Sequence, residues 1–187
     1  MGHLRILFIC IGNTCRSPMA EGILKHLVLK NNLDWFVDSA ALRSWNVGRK
    51  PEGRCLKVLE DHGIKLKHYG RMITKEDFEK FDYILGMDET NLNELQLMAD
   101  MAGKNCRAKV GLLGTYLDNY EMEIIKDPYF SKGMSAFCDT FDQIYASCLK
   151  LIEKHRYDNV EHADDDPNVG GEIKKEQEEG AKALECV

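Results

Sequence analysis

The chain has 187 residues, with 25 Lys and Arg against 31 Asp and Glu, a formal net charge of −6, and hydrophobic residues at 44%. That length suits one core, because a single core commonly serves roughly 100 to 200 residues before a chain divides. The longest apolar runs, such as Ile6–Ile11, are far too short to cross a bilayer, and the N-terminus has no basic and apolar leader, so a soluble cytoplasmic protein without membrane or nucleic-acid partners is expected.

Taken in chain order, Leu4 to Ile11 reads as a buried strand. Met19, Ala20, Ile23, Leu24, Leu27 and Val28 follow at helical spacing, with Ser17 expected as N-cap, Pro18 at the first helical position and Glu21 in the first turn. Phe36 to Ala41 predicts a second strand, and Pro51 to His62 a helix stopped by Gly63. Thr74 to Asp77 opens a short helix with a capping pattern. Asp82 to Met87 predicts a third strand, Glu89 to about Ala102 a helix closed by Gly103, and 107–113 a fourth strand. Residues 114–133 read as irregular, and Phe137, Phe141, Ile144, Tyr145, Cys148 and Ile152 mark a final helix. Short apolar strands alternating with helices predict a small doubly wound α/β domain, a four-stranded parallel sheet covered on both faces. In such folds ligands sit beyond the carboxyl ends of the strands, where the loop after Ile9 must lie.

That loop, "CIGNTCRSP", carries the chemistry. A short turn from a strand end into a helix start aims several backbone N–H groups at one point, and the helix dipole adds positive potential there, so an anion belongs in the cup. Gly12 permits the tight turn, Asn13 tolerates left-handed backbone, and Arg16 offers a planar fork matched to two phosphate oxygens. A thiol at the floor of such a cup is expected to be ionised near neutral pH, which makes Cys10 a nucleophile facing phosphorus, with the Ser17 hydroxyl placed to donate to it. The lysine of a nucleotide-binding P-loop is missing. Seven cysteines, an odd number, without a CxxC pair or an H-E-x-x-H helix favour reduced thiols over a disulfide scaffold and speak against a zinc site.

At these residues the sequence resembles the low-molecular-weight protein tyrosine phosphatases. The likeness runs through "CIGNTCRSPMAE", "DSAALRSWNVGRKP", "HGIKLKH", "ITKEDFEKFDYILGMDETNL", "NCRAKVGLLGTY" and "DPYF", in family order, over nearly all of residues 4–156. The resemblance implies that Cys10 forms a cysteinyl-phosphate and that Arg16 and the loop around Ile11, Gly12, Asn13, Thr14 and Cys15 hold the phosphate oxygens. It further implies that Asp127 is first acid to the leaving oxygen and then base to water. Without it, Asp127-Pro128 would read as an ordinary turn. It makes Asn13, Ser17, Ser39 and His68 a network supporting the loop, and Trp45 and Tyr129 the walls of the substrate cleft; on the residues alone, His68 reads as a surface residue and Trp45 as a packing plug.

The implied substrates are phosphorylated proteins, the product inorganic phosphate, and no metal or organic cofactor is expected because the thiolate and the cup perform the transfer. Phosphotyrosine is the first expectation. Thr14 stands where tyrosine-specific members commonly carry isoleucine and resembles the bacterial arginine phosphatases, so phosphoarginine is the alternative. An arsenate reductase would need cysteines near the third strand, where Ile84, Leu85 and Gly86 stand; an inert phosphate-binding adaptor would most simply have lost Cys10, Arg16 or Asp127, and all three are present. Phe130 replaces a second tyrosine, leaving Tyr129 as one possible phosphorylation site. Cys15 is placed to trap oxidised Cys10 as a disulfide, or else to be a small buried side chain. Residues 158–187 hold ten acidic residues against three lysines, a net of −7 that leaves about +1 for residues 1–157. A phosphatase domain over 1–157 and a disordered acidic tail, solvated or docked on a basic partner, are expected.

Overall fold

The structure, a computed structural model, describes residues 3–157; the expected acidic tail lies outside the described residues. Four parallel strands, β1 (Leu4–Cys10), β2 (Trp35–Ala41), β3 (Tyr83–Gly86) and β4 (Lys109–Leu112), are ordered β2-β1-β3-β4. Among the described residues five α-helices surround them: α1 (Arg16–Lys30), α2 (Gly53–Asp61), α3 (Lys75–Lys80), α4 (Glu89–Ala102) and α5 (Ser135–His155). The apolar run Ile6–Cys10 of β1 is split by the two-residue period of a strand. Leu4, Ile6 and Phe8 face a core shared with α1, α2 and α5, whereas Leu7 and Ile9 face one shared with α3 and α4. Burial on both faces is why this strand shows no polar alternation. The doubly wound fold expected from the sequence is the one observed.

The strand order fixes the position of the site. The chain leaves β1 for β2 on one side and then crosses to β3 on the other, so strand order reverses at the carboxyl end of β1. The crevice in which such sheets bind ligands opens there.

Several boundaries differ from the sequence reading. β1 ends at Cys10, and α1 begins at Arg16 with Cys15, not Ser17, in the N-cap position and no side-chain cap. Ser17 and Pro18 therefore lie inside the first turn, and the Ser17 hydroxyl is spent on Cys10 and Asn13 instead of a backbone cap. Glu21 lies beyond that turn and is buried. α2 starts at Gly53, its cap supplied by Glu52, whose carboxylate accepts from the N–H groups of Arg54 and Cys55. β2 begins one residue earlier, at Trp35, while β3 and β4 are shorter than expected. The Thr74–Asp77 capping box begins α3, and Gly103, at φ 67°, ends α4, as the sequence suggested. The irregular stretch 114–133 contains two short 3-10 turns, Gly114–Leu117 and Tyr120–Met122. Among the described residues no helix is long and apolar enough to cross a membrane.

Candidate active site

The loop between β1 and α1 is turned inside out relative to an ordinary turn. Its carbonyl groups bond outward: Cys10 accepts from Leu42 N–H at 3.1 Å, Ile11 from Arg43 at 2.9 Å and Thr14 from Glu52 at 2.9 Å. Gly12 accepts from the Asn46 side chain at 3.2 Å, and Cys15 from Met19 N–H at 3.1 Å. Because a trans peptide points its C=O and N–H in opposite directions, outward carbonyls leave the following N–H groups facing the centre of the loop. Backbone alone thus makes an anion cup at the start of α1.

Asn13 holds that shape from behind, at φ 51° in the left-handed region that asparagine tolerates. Its amide nitrogen donates to Ser17 Oγ and Ser39 Oγ, both at 2.9 Å, and its oxygen accepts from His68 Nε2 at 2.8 Å and Arg71 N–H at 3.2 Å. Ser17 Oγ, an acceptor from Asn13, also lies within hydrogen-bond reach of Cys10 Sγ at 3.0 Å. Ser39 Oγ donates to Glu21 Oε2 at 2.5 Å, the oxygen that also takes His68 Nδ1 at 3.0 Å. Both ring nitrogens of His68 thus face an oxygen, Asn13 Oδ1 at Nε2 and Glu21 Oε2 at Nδ1. Burial alone would push the Glu21 carboxyl up, but His68, Lys25 and Ser39 together hold it below its ordinary value. The surface reading of His68 fails, since its side chain is 5% exposed.

Glu21, His68 and Asp38 have ligating atoms within 4.8 Å of one another, a spacing a cation could use. Those atoms are committed elsewhere: Glu21 and His68 to each other and to Ser39, Lys25 and Asn13, and Asp38 to Arg71 and to Ser39 N–H. The cluster is built as a support for the cup.

Arg16, the first residue of α1, reaches from the loop to two carboxylates. Nη1 donates to Asp88 Oδ2 at 2.5 Å and to the Ile125 carbonyl at 3.1 Å, and Nη2 donates to Asp127 Oδ2 at 2.9 Å. Its Nε is buried with no partner among the described residues, a donor held out of water. Burial works against the guanidinium charge, yet Cys10, Asp127 and Asp88 leave its pKa above the ordinary value. Asp127 is fixed on its other oxygen, Oδ1, by Tyr129 N–H at 3.0 Å. Cys15 is buried and its thiol is pushed up to about 12 by that burial, so it stays protonated. Thr14 is half-buried, 3.9 Å from the Cys15 sulfur. Trp45 lies on a short turn whose Asn46 holds Gly12 and is 67% exposed, which disposes of the packing-plug reading. Tyr129 is half exposed, edge-on to an exposed Phe130 at 5.1 Å.

The structure adds residues that the sequence reading passed over. Asp88 caps α4 through Asn91 N–H at 2.8 Å and holds Arg16 with its second oxygen. A carboxylate directly after a strand, at the carboxyl edge of a parallel sheet, was the available signal. Glu21, Asn46 and Arg71 sit in sequence as ordinary surface polar residues, and nothing local marks them.

Such a combination defines a class, an α/β protein shaped to press a tetrahedral anion against a sulfur while a carboxylate waits across from it. The chain belongs to the family described as low molecular weight phosphotyrosine protein phosphatase, whose model matches residues 5–161. A pig enzyme of that name is 46% identical over 81% of this chain and 95% of its own, and the human one 43% identical over 80% and 94%. The crystal structure of a Drosophila arginine phosphatase is also similar, at 52% identity and a TM-score of 0.79, covering 82% of this chain and 99% of that one. The chain is thus a cysteine-dependent phosphatase, acting on phosphorylated protein and releasing phosphate.

Proposed function

We propose that phosphotyrosine is hydrolysed here in two displacements on Cys10. In the first, the Cys10 sulfur attacks phosphorus, an S–P bond forms, the P–O bond to the phenol breaks, and Asp127 gives its proton to the departing oxygen. In the second, Asp127 takes a proton from water as the water oxygen attacks phosphorus, the S–P bond breaks, and inorganic phosphate leaves. The Ser17 hydroxyl, 3.0 Å from the sulfur, stabilises the thiolate as it departs. Arg16 and the inward N–H groups take up the charge that spreads over the equatorial oxygens. The observation that carries this reading is the buried Arg16 Nε, a donor with no protein partner beside a guanidinium whose other nitrogens already hold Asp88 and Asp127. An equatorial phosphate oxygen supplies what it lacks. Trp45, next to the Asn46 that holds Gly12, and Tyr129, whose N–H holds Asp127, are exposed aromatics suited to an aromatic leaving group.

Hydrolysis of para-nitrophenyl phosphate tests the reading. Cys10→Ser abolishes turnover while phosphate still binds; turnover that persists in that variant refutes it.

A second reading, hydrolysis of phosphoarginine, is favoured by one residue and one likeness. Thr14 places a half-buried hydroxyl in the cup, where it can bond a guanidinium or a water, and the similar Drosophila structure is named an arginine phosphatase. Kinetics on matched phosphotyrosine and phosphoarginine peptides decide, with Thr14→Ile alongside. A phosphotyrosine preference indifferent to Thr14→Ile upholds the first reading, and a phosphoarginine preference reversed by it installs the second. We place the catalytic unit in residues 1–157, in a reducing cytoplasm that keeps Cys10 and Cys15 as thiols, with the acidic tail free to engage a basic partner.

A further inference from the structure

The segment that carries Asp127 has no regular secondary structure of its own from Glu123 to Met134, so its geometry must be imposed from outside. One side chain does much of this. Arg54, in the first turn of α2, donates from Nη1 to the carbonyl of Ser131 at 2.6 Å and, at the longer 3.5 Å, to that of Gly133, and from Nη2 to the carbonyl of Tyr129 at 3.0 Å. Its guanidinium also lies 4.4 Å over the centre of the Phe137 ring in α5. The fork is aimed by Glu52, whose Oε1 accepts from Arg54 Nε at 2.9 Å. Glu52 is in turn bonded to the cup itself, its N–H reaching the Thr14 carbonyl at 2.9 Å.

These bonds form a continuous path from the phosphate loop to the acid. Thr14 holds Glu52, Glu52 holds Arg54, Arg54 holds the Tyr129 carbonyl, and the N–H of the same residue holds Asp127 Oδ1 at 3.0 Å. Five donors in a rigid plane let one arginine grip several carbonyls at once, which a lysine cannot do.

We propose that Arg54 is a positioning residue for acid catalysis, setting the Asp127 carboxyl at the height of the leaving-group oxygen by gripping the backbone beyond it. It touches neither sulfur nor phosphate. The proposal rests on the assignment of Asp127 as the acid. General acid–base catalysis contributes roughly a hundred- to ten-thousand-fold, and a misplaced acid forfeits part of that.

The test compares aryl phosphates whose leaving phenols differ in acidity, measured as kcat/KM, for wild type, Arg54→Met, Arg54→Lys and Asp127→Asn. A good leaving group departs without help, whereas a poor one needs the proton. For phenyl phosphate Arg54→Met loses about tenfold or more, for 2,4-dinitrophenyl phosphate about twofold or less, and the alkaline limb of its pH profile flattens. Arg54→Lys recovers part of the loss. The inhibition constant of inorganic phosphate, which reads the cup without the acid, stays within about twofold in Arg54→Met and shows that the variant is folded. Equal losses on both substrates, or no loss on either, overturn the proposal. Asp127→Asn separates that result from failure of the acid assignment, because it shows the same leaving-group bias more strongly if Asp127 is the acid and a uniform loss if it is not.

Discussion

In the cup, residues 10–17, shape is fixed from behind by side chains that water does not reach: Asn13 at the centre, with Ser17, Ser39, His68 and Glu21 around it. In the strap, residues 114–133, shape is fixed by backbone held from the rim. Ile125 N–H reaches the Met87 carbonyl at 2.8 Å, Gln143 grips the carbonyls of Met122 and Ile124, and Arg54 grips those of Tyr129 and Ser131. The first region binds an anion whose shape never changes, and buried hydrogen bonds give it the stiffness to do so. The second is held largely by hydrogen bonds at the exposed rim. Arg16 is the hinge between them, with Asp88 on the sheet side and Asp127 on the strap side.

The comparison breaks most sharply at that hinge. Arg16→Lys puts one point charge where a fork served two carboxylates and the cup, and kcat/KM falls by about a thousandfold, as for loss of preorganised donors at a developing charge. Steady-state kinetics on para-nitrophenyl phosphate measure it. A loss below tenfold would show that the fork matters little.

Next comes the support of the cup. Glu21→Gln leaves His68 and Lys25 without their anion and costs about 3 kcal/mol of stability in urea titration. Because the folded carboxyl sits below its ordinary value of 4.5, the native state binds that proton more weakly than the unfolded chain does. The contribution is therefore complete above that ordinary value and fades as the pH falls through the folded one. The gap between wild type and Glu21→Gln should narrow in acid below 4.5, and a gap that widens there contradicts the network.

Two glycines then contrast the regions at equal chemistry. A Cβ on Gly114 would stand 2.3 Å from the Glu123 carbonyl oxygen and 2.5 Å from that of Met122, both backbone, so Gly114→Ala must displace the strap and costs about 2 kcal/mol. On Gly12 the new Cβ meets only the end of the Asn46 side chain at 2.8 Å, which can turn away with the loss of one hydrogen bond, about 1 kcal/mol. Thermal melts rank the two, and a larger loss for Gly12→Ala would contradict the close backbone approach at Gly114.

The mildest effect concerns Cys15. Its thiol titrates near about 12, so closure of a Cys10–Cys15 disulfide after peroxide is slow at neutral pH and quickens about tenfold per pH unit on the alkaline side. Mass spectrometry of the linked peptide follows it. A rate flat with pH would mean that Cys15 is not the attacking sulfur.

The cup was the legible half. A strand ending on Cys10, a glycine, an asparagine and an arginine before a helix carry their chemistry locally, because each N–H and side chain acts within a few residues of its neighbour in sequence. The two-faced sheet was legible for the same reason, as apolar runs interrupted by helical periods. What sequence could not show were bonds closed over long separations: Arg16 to Asp88 across 72 residues, His68 to Asn13 across 55, Arg54 to Tyr129 across 75. No pattern in the chain marks Glu52 or Arg54 as the link between loop and acid. Ser17 was misread as a cap because its type and place suit one, while its hydroxyl was needed by Cys10. Asp127 itself became visible only through resemblance, since an Asp-Pro pair in an irregular stretch has many ordinary uses.

The most direct measurement is on the sulfur. Asp127→Asn, quenched in acid during turnover of para-nitrophenyl phosphate and digested, should carry one phosphoryl group on the peptide containing Cys10, and Cys10→Ser treated alike should carry none. A peptide left unmodified while turnover continues, or a phosphoryl group on another residue, would contradict the account.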